Sequence, residues 1–351
     1  MTRIASLAQR LTTPLLPDDY LTLFNPLLTL DSYRARIVRI EHQTSESRTL
    51  HLRTARDLPA HEAGQHVRVG VDLNAVRHWR SFSITSAASG RPTRTISITV
   101  KASGNGLVSD HLVQRAAVGD IVHLETPTGD FVLPAGTDVD LLMIGGGSGV
   151  TPLLAMIRTL AQQEQRPNVT FVLTARTTQE MIARRELVRY SREHSWLDLI
   201  LWPTSALGHF DEVALTDHVP DWAGLDAYVC GPAGMLTAVD RIWRDGDVID
   251  RLHVEQFQTQ LAVVDGEGGS VTFAKSGRTA SGDASTPLLE VGERAGALMP
   301  SGCRIGICHT CVVPLRSGKV RDLRSGVVHG DVGDPIQTCI NSAACDVELD
   351  V

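Results

Sequence analysis

The chain has 351 residues, which at roughly 150 residues per domain is about two to three domains. Its 42% hydrophobic, 21% charged and 5% aromatic composition supplies packed cores and excludes a disordered chain. Lys plus Arg number 33 against 40 Asp plus Glu, a net charge of −7, so no global basic field exists to hold nucleic acid.

Residues 1–32 read as a helical or irregular lead segment, with Leu7, Leu11, Leu15, Leu21, Leu23 and Leu27 interrupted by Pro14, Pro17 and Pro26. It is expected to be a strap packed on a later domain, or else an apolar docking surface for a partner or membrane. No run reaches the roughly 18 to 20 apolar residues of a transmembrane segment, and the N-terminus lacks a signal peptide's apolar core. A cytoplasmic protein with reduced cysteines is the expectation.

From 33 to 137, short alternating stretches such as ARIVRI, QHVRVGVDL, SFSITS and TISITVKA are separated by Gly, Pro and polar turns, predicting an antiparallel β-barrel. Within it, GNGLVSDHLVQRA predicts one short helix entered through Gly104 and Gly106, with Ser109 near its first turn; such an N-terminus can hold a phosphate. From 138 to 263 buried strands alternate with helices, as in DLLMIGGG, TPLLAMIRTLAQQ, VTFVLTAR, LDLILW and LDAYVCGP, predicting a parallel α/β sheet. The glycine-rich VDGEGGS, 264–270, is the expected linker. The last segment, 271–351, opens with a hairpin pattern, VTFAKSGRTASG, and continues with an amphipathic PLLEVGERAGA helix.

Cys303, Cys308 and Cys311, with Cys339 further on, have the C-x4-C-x2-C…C spacing of a plant-type [2Fe–2S] site, in which four thiolates complete two tetrahedral irons. Gly302 and Gly306 allow the tight loop. A structural zinc site is the alternative. CRIGICHTC and the preceding TPLLEVGERAGALMPSG resemble a β-grasp ferredoxin domain. Arg304 falls where such ferredoxins often have Arg, and Cys345 is expected to be a buried small hydrophobe near a closing strand.

The stretch Arg80-Ser-Phe82-Ser83-Ile-Thr-Ser86 resembles the R-x-Y-S-x-x-S flavin fingerprint of the ferredoxin-NADP reductase family. The resemblance implies Arg80 on the FAD pyrophosphate, the Phe82 ring against the isoalloxazine and Ser83 near the reactive N5. Phe82 stands where many relatives have Tyr, so a phenol hydrogen bond to the ribityl chain is lost. ITVKASGNGLVSDHL resembles the family's next FAD segment, which implicates Lys101, Gly106, Leu107, Val108 and Ser109.

The run Ile144-Gly145-Gly146-Gly147-Ser148-Gly149-Val150-Thr151-Pro152 follows an apolar strand and opens a helix, where backbone amides can receive a pyrophosphate. Val150 departs from the last glycine of G-x-G-x-x-G. The run resembles the reductase family's nicotinamide loop and implicates Gly145, Gly147, Gly149, Thr151 and Pro152. VTFVLTAR ends at Arg176 rather than an acid, and Arg184 and Arg185 follow, which favours the 2′-phosphate of NADPH over NADH. Cys230-Gly231-Pro232 resembles the family's C-G-P turn beside the nicotinamide ring. His253-Val-Glu255-Gln-Phe257 resembles its H-x-E-x-F segment, with Glu255 and Phe257 reaching towards the flavin. Ser83, Cys230 and Glu255 are the expected catalytic residues.

In order, these motifs make the chain similar to oxygenase and desaturase reductases of the ferredoxin-NADP reductase superfamily with a C-terminal cluster domain. The resemblance implies electron flow from NADPH through FAD and [2Fe–2S] to an oxygenase, hydroxylase or membrane fatty-acid desaturase. The lead PLLPDDYLTLFNPLLTL resembles that of reductases serving membrane desaturases and di-iron hydroxylases, which ranks a desaturase first and would bring the protein to the membrane periphery through its partner. A soluble aromatic or CoA-ester oxygenase is the alternative acceptor. A non-enzymatic redox-sensing or metal-binding module is the alternative of another class; Phe82 and Val150 favour it, whereas Arg80, Ser83 and Cys230 oppose it.

Overall fold

The computed structural model describes residues 17–30, 32–73, 76–104, 106–134, 136–257, 266–302, 304, 306 and 309–351. Two compact units divide the chain, Met1–Gln256 and Phe257–Val351.

In the first unit, helix α1 (Pro17–Phe24) is followed by strands β1 (Tyr33–Thr44), β2 (Ser47–Leu58), β3 (His66–Leu73), β4 (Val76–Ser83), β5 (Thr93–Lys101) and β6 (Ile121–Leu124). They form an antiparallel sheet in the order β4-β3-β6-β1-β2-β5. Ile84, just past β4, bridges to Ile98 of β5, which brings the two end strands together and curls the sheet towards a barrel. Alternation puts Ile37, Leu50, Leu52, Val67, Val69 and Ile98 inside. The Gly106-entered helix α2 (Leu107–Gln114) packs Val108, Leu112 and Val113 on that core.

The second lobe of this unit is a parallel sheet, β11-β10-β7-β8-β9, formed by β7 (Leu141–Gly146), β8 (Val169–Ala175), β9 (Leu197–Pro203), β10 (Asp226–Cys230) and β11 (Leu252–Glu255). Helix α3 (Val150–Leu160) follows β7, helix α4 (Arg184–Glu193) follows β8 and helix α5 (Ala233–Asp245) follows β10. Every residue of α3 from Val150 to Ile157 is buried, as its almost wholly apolar run dictates, Thr151 being the one polar member. Pro152 is tolerated because a first-turn residue needs no intrahelical N–H donor.

The second unit holds β12 (Gly269–Phe273) and β13 (Arg278–Gly282), an antiparallel hairpin as its alternation predicts, then α6 (Leu288–Ala295). Strands β14 (Val312–Ser317), β15 (Val320–Asp322), β16 (Val328–His329), β17 (Pro335–Gln337), β18 (Asn341–Ala343) and β19 (Val347–Leu349) complete a mixed sheet, β13-β12-β19-β14-β17, and a small one, β16-β15-β18. Strand β12 begins at Gly269, inside the stretch expected to be linker; 264 and 265 lie outside the described residues. Cys345 corrects an expectation. It is exposed between β18 and β19, not buried, and the Lys319 backbone N–H donates to its sulfur at 3.2 Å. Among the described residues no helix is long and apolar enough to cross a membrane.

Candidate flavin, nucleotide and cluster sites

The flavin-like motif lies on β4 and just beyond it. Arg80, Phe82 and Ser83 pair across the sheet with Val69, Val67 and His66. Phe82 is half-buried against the barrel core. The hydroxyls of Ser81 and Ser83 are buried without a hydrogen-bond partner. An orphan hydroxyl costs about 1–3 kcal/mol unless something satisfies it, so the strand end fits a polar ligand such as the flavin ring. At the start of α2 the arrangement is more particular than its motif implies. The Asp110 carboxylate accepts the N–H groups of Ser103, Gly104 and Gly106 at 2.8, 3.3 and 3.2 Å. Gly106's amide is therefore engaged, and the N–H groups of Leu107, Val108 and Ser109, which have no intrahelical acceptor, are the ones left for a phosphate. Ser109 Oγ lies 3.1 Å from Ser103 Oγ, and Lys101 Nζ is 3.8 Å from Glu46.

The nucleotide loop is built on close approach. A Cβ on Gly149 would lie 2.1 Å from the Cys230 carbonyl oxygen, one on Gly231 would lie 3.2 Å from the Gly146 backbone, and one on Gly146 would lie 2.7 Å from Pro232 Cδ. The Gly145–Gly149 loop and the Cys230-Gly231-Pro232 turn thus touch backbone to backbone. Gly147, at φ +57°, has open space on the side where a Cβ would point, the opening a pyrophosphate needs. Thr151 is buried and its hydroxyl donates to the Ser148 carbonyl at 2.8 Å, which fixes the loop. Arg176 follows β8, its side chain 73% exposed and its Nε on Glu180 at 3.0 Å; Arg184 opens α4.

Glu255 lies directly across from Cys230 in the parallel pair β10–β11. Its Oε2 is buried without a partner, and burial pushes its carboxyl up to about 8. Burial also pushes the Cys230 thiol well above its ordinary value, with the Glu255 charge adding to it. Phe257, two residues on, belongs to the second compact unit.

In that unit Cys311 and Cys339 are buried with their sulfurs 3.2 Å apart, and the hydrogen bond between them pulls the Cys311 thiol down to about 6. Two converging thiols, one poised to ionise, fit an iron–sulfur donor set. Cys303 and Cys308 lie outside the described residues. Arg304 is no ordinary surface charge: at φ +65° its guanidinium makes a two-pronged ion pair with Glu293 of α6, and both side chains are less than one-fifth exposed. The sequence gives no sign of this pair, nor of Asp110's capture of the α2 loop amides.

Fold and sites together define an NAD(P)H-dependent flavin and iron–sulfur oxidoreductase. Three family models match in this order: an oxidoreductase FAD-binding domain over residues 35–133, an oxidoreductase NAD-binding domain over 143–241 and a 2Fe-2S iron-sulfur cluster binding domain over 271–348. An NADPH oxidoreductase of Mycobacterium tuberculosis is 40% identical, the alignment covering 99% of this chain and 92% of that one. The glycine betaine monooxygenase reductase subunit of Chromohalobacter salexigens is 26% identical over 93% of this chain and 98% of its own. Among solved structures, phthalate dioxygenase reductase matches in fold with a TM-score of 0.66 at 24% identity, covering 91% of this chain and 98% of that one. The chain belongs to the ferredoxin-NADP reductase superfamily, in the branch with a C-terminal [2Fe–2S] domain. It is therefore an oxidoreductase using FAD, NAD(P)H and [2Fe–2S], and the non-enzymatic module is set aside.

Proposed function

We propose that the protein takes electrons from NADPH and delivers them singly to an oxygenase-type partner, with residues 33–137 holding FAD, 138–263 the nucleotide and 271–351 the cluster. When bound, FAD supplies the exchange between a two-electron hydride and the one-electron cluster. The observation that carries the reading is the contact of Gly149 with the Cys230 backbone, beside Glu255.

Each residue then has a physical task. The Gly145–Gly149 amides receive the dinucleotide pyrophosphate, and the tight glycine contacts hold the turn of Cys230 where a nicotinamide ring would lie. Cys230 is fully buried and excludes water from that turn. Glu255, with its carboxyl raised to about 8, carries a proton at neutral pH next to Cys230. Ser83 offers its orphan hydroxyl to the flavin ring, and Arg80 and the start of α2 take the FAD pyrophosphate. Cys311 and Cys339, with Cys303 and Cys308, supply the four thiolates. Arg176 and Arg184 favour the NADPH 2′-phosphate, a preference in keeping with the Mycobacterium tuberculosis relative.

For the acceptor, the monooxygenase reductase relative favours an oxygenase component. The desaturase reading rests on the lead segment alone. The deciding experiment is an anaerobic titration of the purified protein with NADPH and, separately, NADH, with iron and acid-labile sulfide assays. Bleaching of flavin and cluster bands at lower NADPH than NADH supports the route and the preference; cofactor-replete protein that NADPH leaves oxidised sinks it. Delivery of those electrons to purified oxygenase components, compared with desaturase-containing membranes, separates the acceptors.

A further inference from the structure

We propose that Arg158 is a positioning residue that sets the spacing between the nucleotide loop and the flavin strand, an inference that rests on the hydride-transfer reading above. Helix α3, about 16 Å long at 1.5 Å per residue, carries the Gly147–Thr151 loop at its N-terminal end. Near its other end, Arg158 Nη1 donates to the Thr85 carbonyl at 2.6 Å. Thr85 lies two residues beyond Ser83, on the same extended segment, and its own N–H donates to the Ser97 carbonyl at 2.7 Å. The next helical residue repeats the link: Thr159 Oγ1 accepts from the Ala88 N–H at 2.9 Å. One rigid helix therefore holds both partners of the proposed hydride transfer, the nucleotide by its first turn and the flavin strand by its last.

Arg158 is itself locked. Its Nε and Nη2 donate to the two oxygens of Glu186 on α4, at 2.8 and 2.6 Å, and the two side chains are only 17% and 22% exposed. The fork leaves Nη1 aimed at one carbonyl, a geometry that the single ammonium of lysine cannot reproduce. Apolar contact does join the lobes, since Ala63, Ala88, Phe131 and Leu133 share the cluster of Met156. On the Arg158 side, however, the seam opens into a cavity of about 1030 Å³, bordered by Arg39, His51, Ser97, Arg158, Arg189 and Tyr190 among others. There, side-chain packing does not fix the gap, and directional hydrogen bonds define it.

The test compares wild type, Arg158→Ala and Arg158→Lys as purified full-length holoprotein. Rapid mixing with NADPH gives the limiting rate of flavin reduction and the nucleotide dissociation constant separately, and hydrogen exchange at the Thr85 and Ala88 amides reports the link without turnover. Misplacement by about 1 Å costs on the order of 100-fold in rate. Arg158→Ala is therefore expected to slow flavin reduction about 10- to 100-fold. The dissociation constant should stay within about twofold because the loop itself is intact. FAD and iron content should be unchanged, Ala88 exchange accelerated, and Arg158→Lys should recover part of the rate. An unchanged limiting rate in the alanine variant overturns the proposal. So does a joint loss of FAD, nucleotide affinity and thermal midpoint that Arg158→Lys shares in full, because that is a purely structural role. If NADPH fails to reduce even the wild type, the functional reading falls, and exchange still decides the link: faster exchange at Ala88 supports it and unchanged exchange overturns it.

Discussion

Glu255 and Cys230 face each other across adjacent parallel strands, each shifted by burial towards its neutral form. The pair is uncharged at neutral pH, beside the contact of Gly149 with the Cys230 backbone, and a charge develops on Glu255 as the pH rises through about 8.

That arrangement predicts a pH signature. Because the folded carboxyl of Glu255 titrates at about 8 against 4.5 when exposed, its contribution to stability is fully present below about 4.5 and is lost as pH rises through 8. The thermal midpoint of the wild type is expected to fall across that window. Each pH unit inside it is worth at most about 1.4 kcal/mol. Glu255→Gln should flatten this slope; thermal melts of both proteins at intervals from pH 5 to 9 check it, and parallel curves would remove Glu255 as the cause.

Replacing Cys311 by Ser removes one of the two described thiols of the proposed cluster set. The variant is expected to keep its FAD and its reduction by NADPH while losing most iron and labile sulfide, and with them delivery to a one-electron acceptor such as cytochrome c. Metal analysis beside the two rates measures this. Loss of flavin reduction in a folded variant would break the proposed division of labour between the units.

Gly149→Ala forces a Cβ to within 2.1 Å of the Cys230 carbonyl oxygen, a backbone atom that cannot swing aside. The expected cost is about 1–3 kcal/mol of stability. NADP+ affinity should drop at least about tenfold, the equivalent of 1.4 kcal/mol. Calorimetric unfolding and NADP+ titration report the two effects independently.

Arg176→Glu places an acid where the 2′-phosphate is expected. The KM for NADPH should rise about 10-fold or more, from the loss of one charge-assisted contact and the gain of a repulsion, with the value for NADH changing little. Equal effects on both nucleotides would move the specificity determinant away from β8.

Local signals carried most of the fold. The alternation of TISITVKA, the hairpin at 271–282 and the helix behind Gly106 are set by neighbours in sequence, and each stands where its pattern places it. Cys345 was illegible because a small residue near a strand end reads alike on either face, and only the turn between β18 and β19 leaves it outside. Arg158 was hidden for another reason. It is a lone charge on an apolar helix, and its meaning comes from a carbonyl 73 residues away that sequence periodicity cannot reveal. Asp110 is illegible for a third reason: the glycine pattern advertises free amides at the helix start, and only the fold turns the carboxylate one turn along back onto the amide of Gly106.

The backbone contact of Gly149 with Cys230 also constrains engineering of nucleotide preference. The two motifs are separated by a whole strand–helix series, yet they share one surface with no room for a methyl group. A loop transplanted from another reductase will seat only if its C-G-P turn travels with it, so the exchangeable part of this lobe is the pair, and cofactor-switching libraries should vary both segments together.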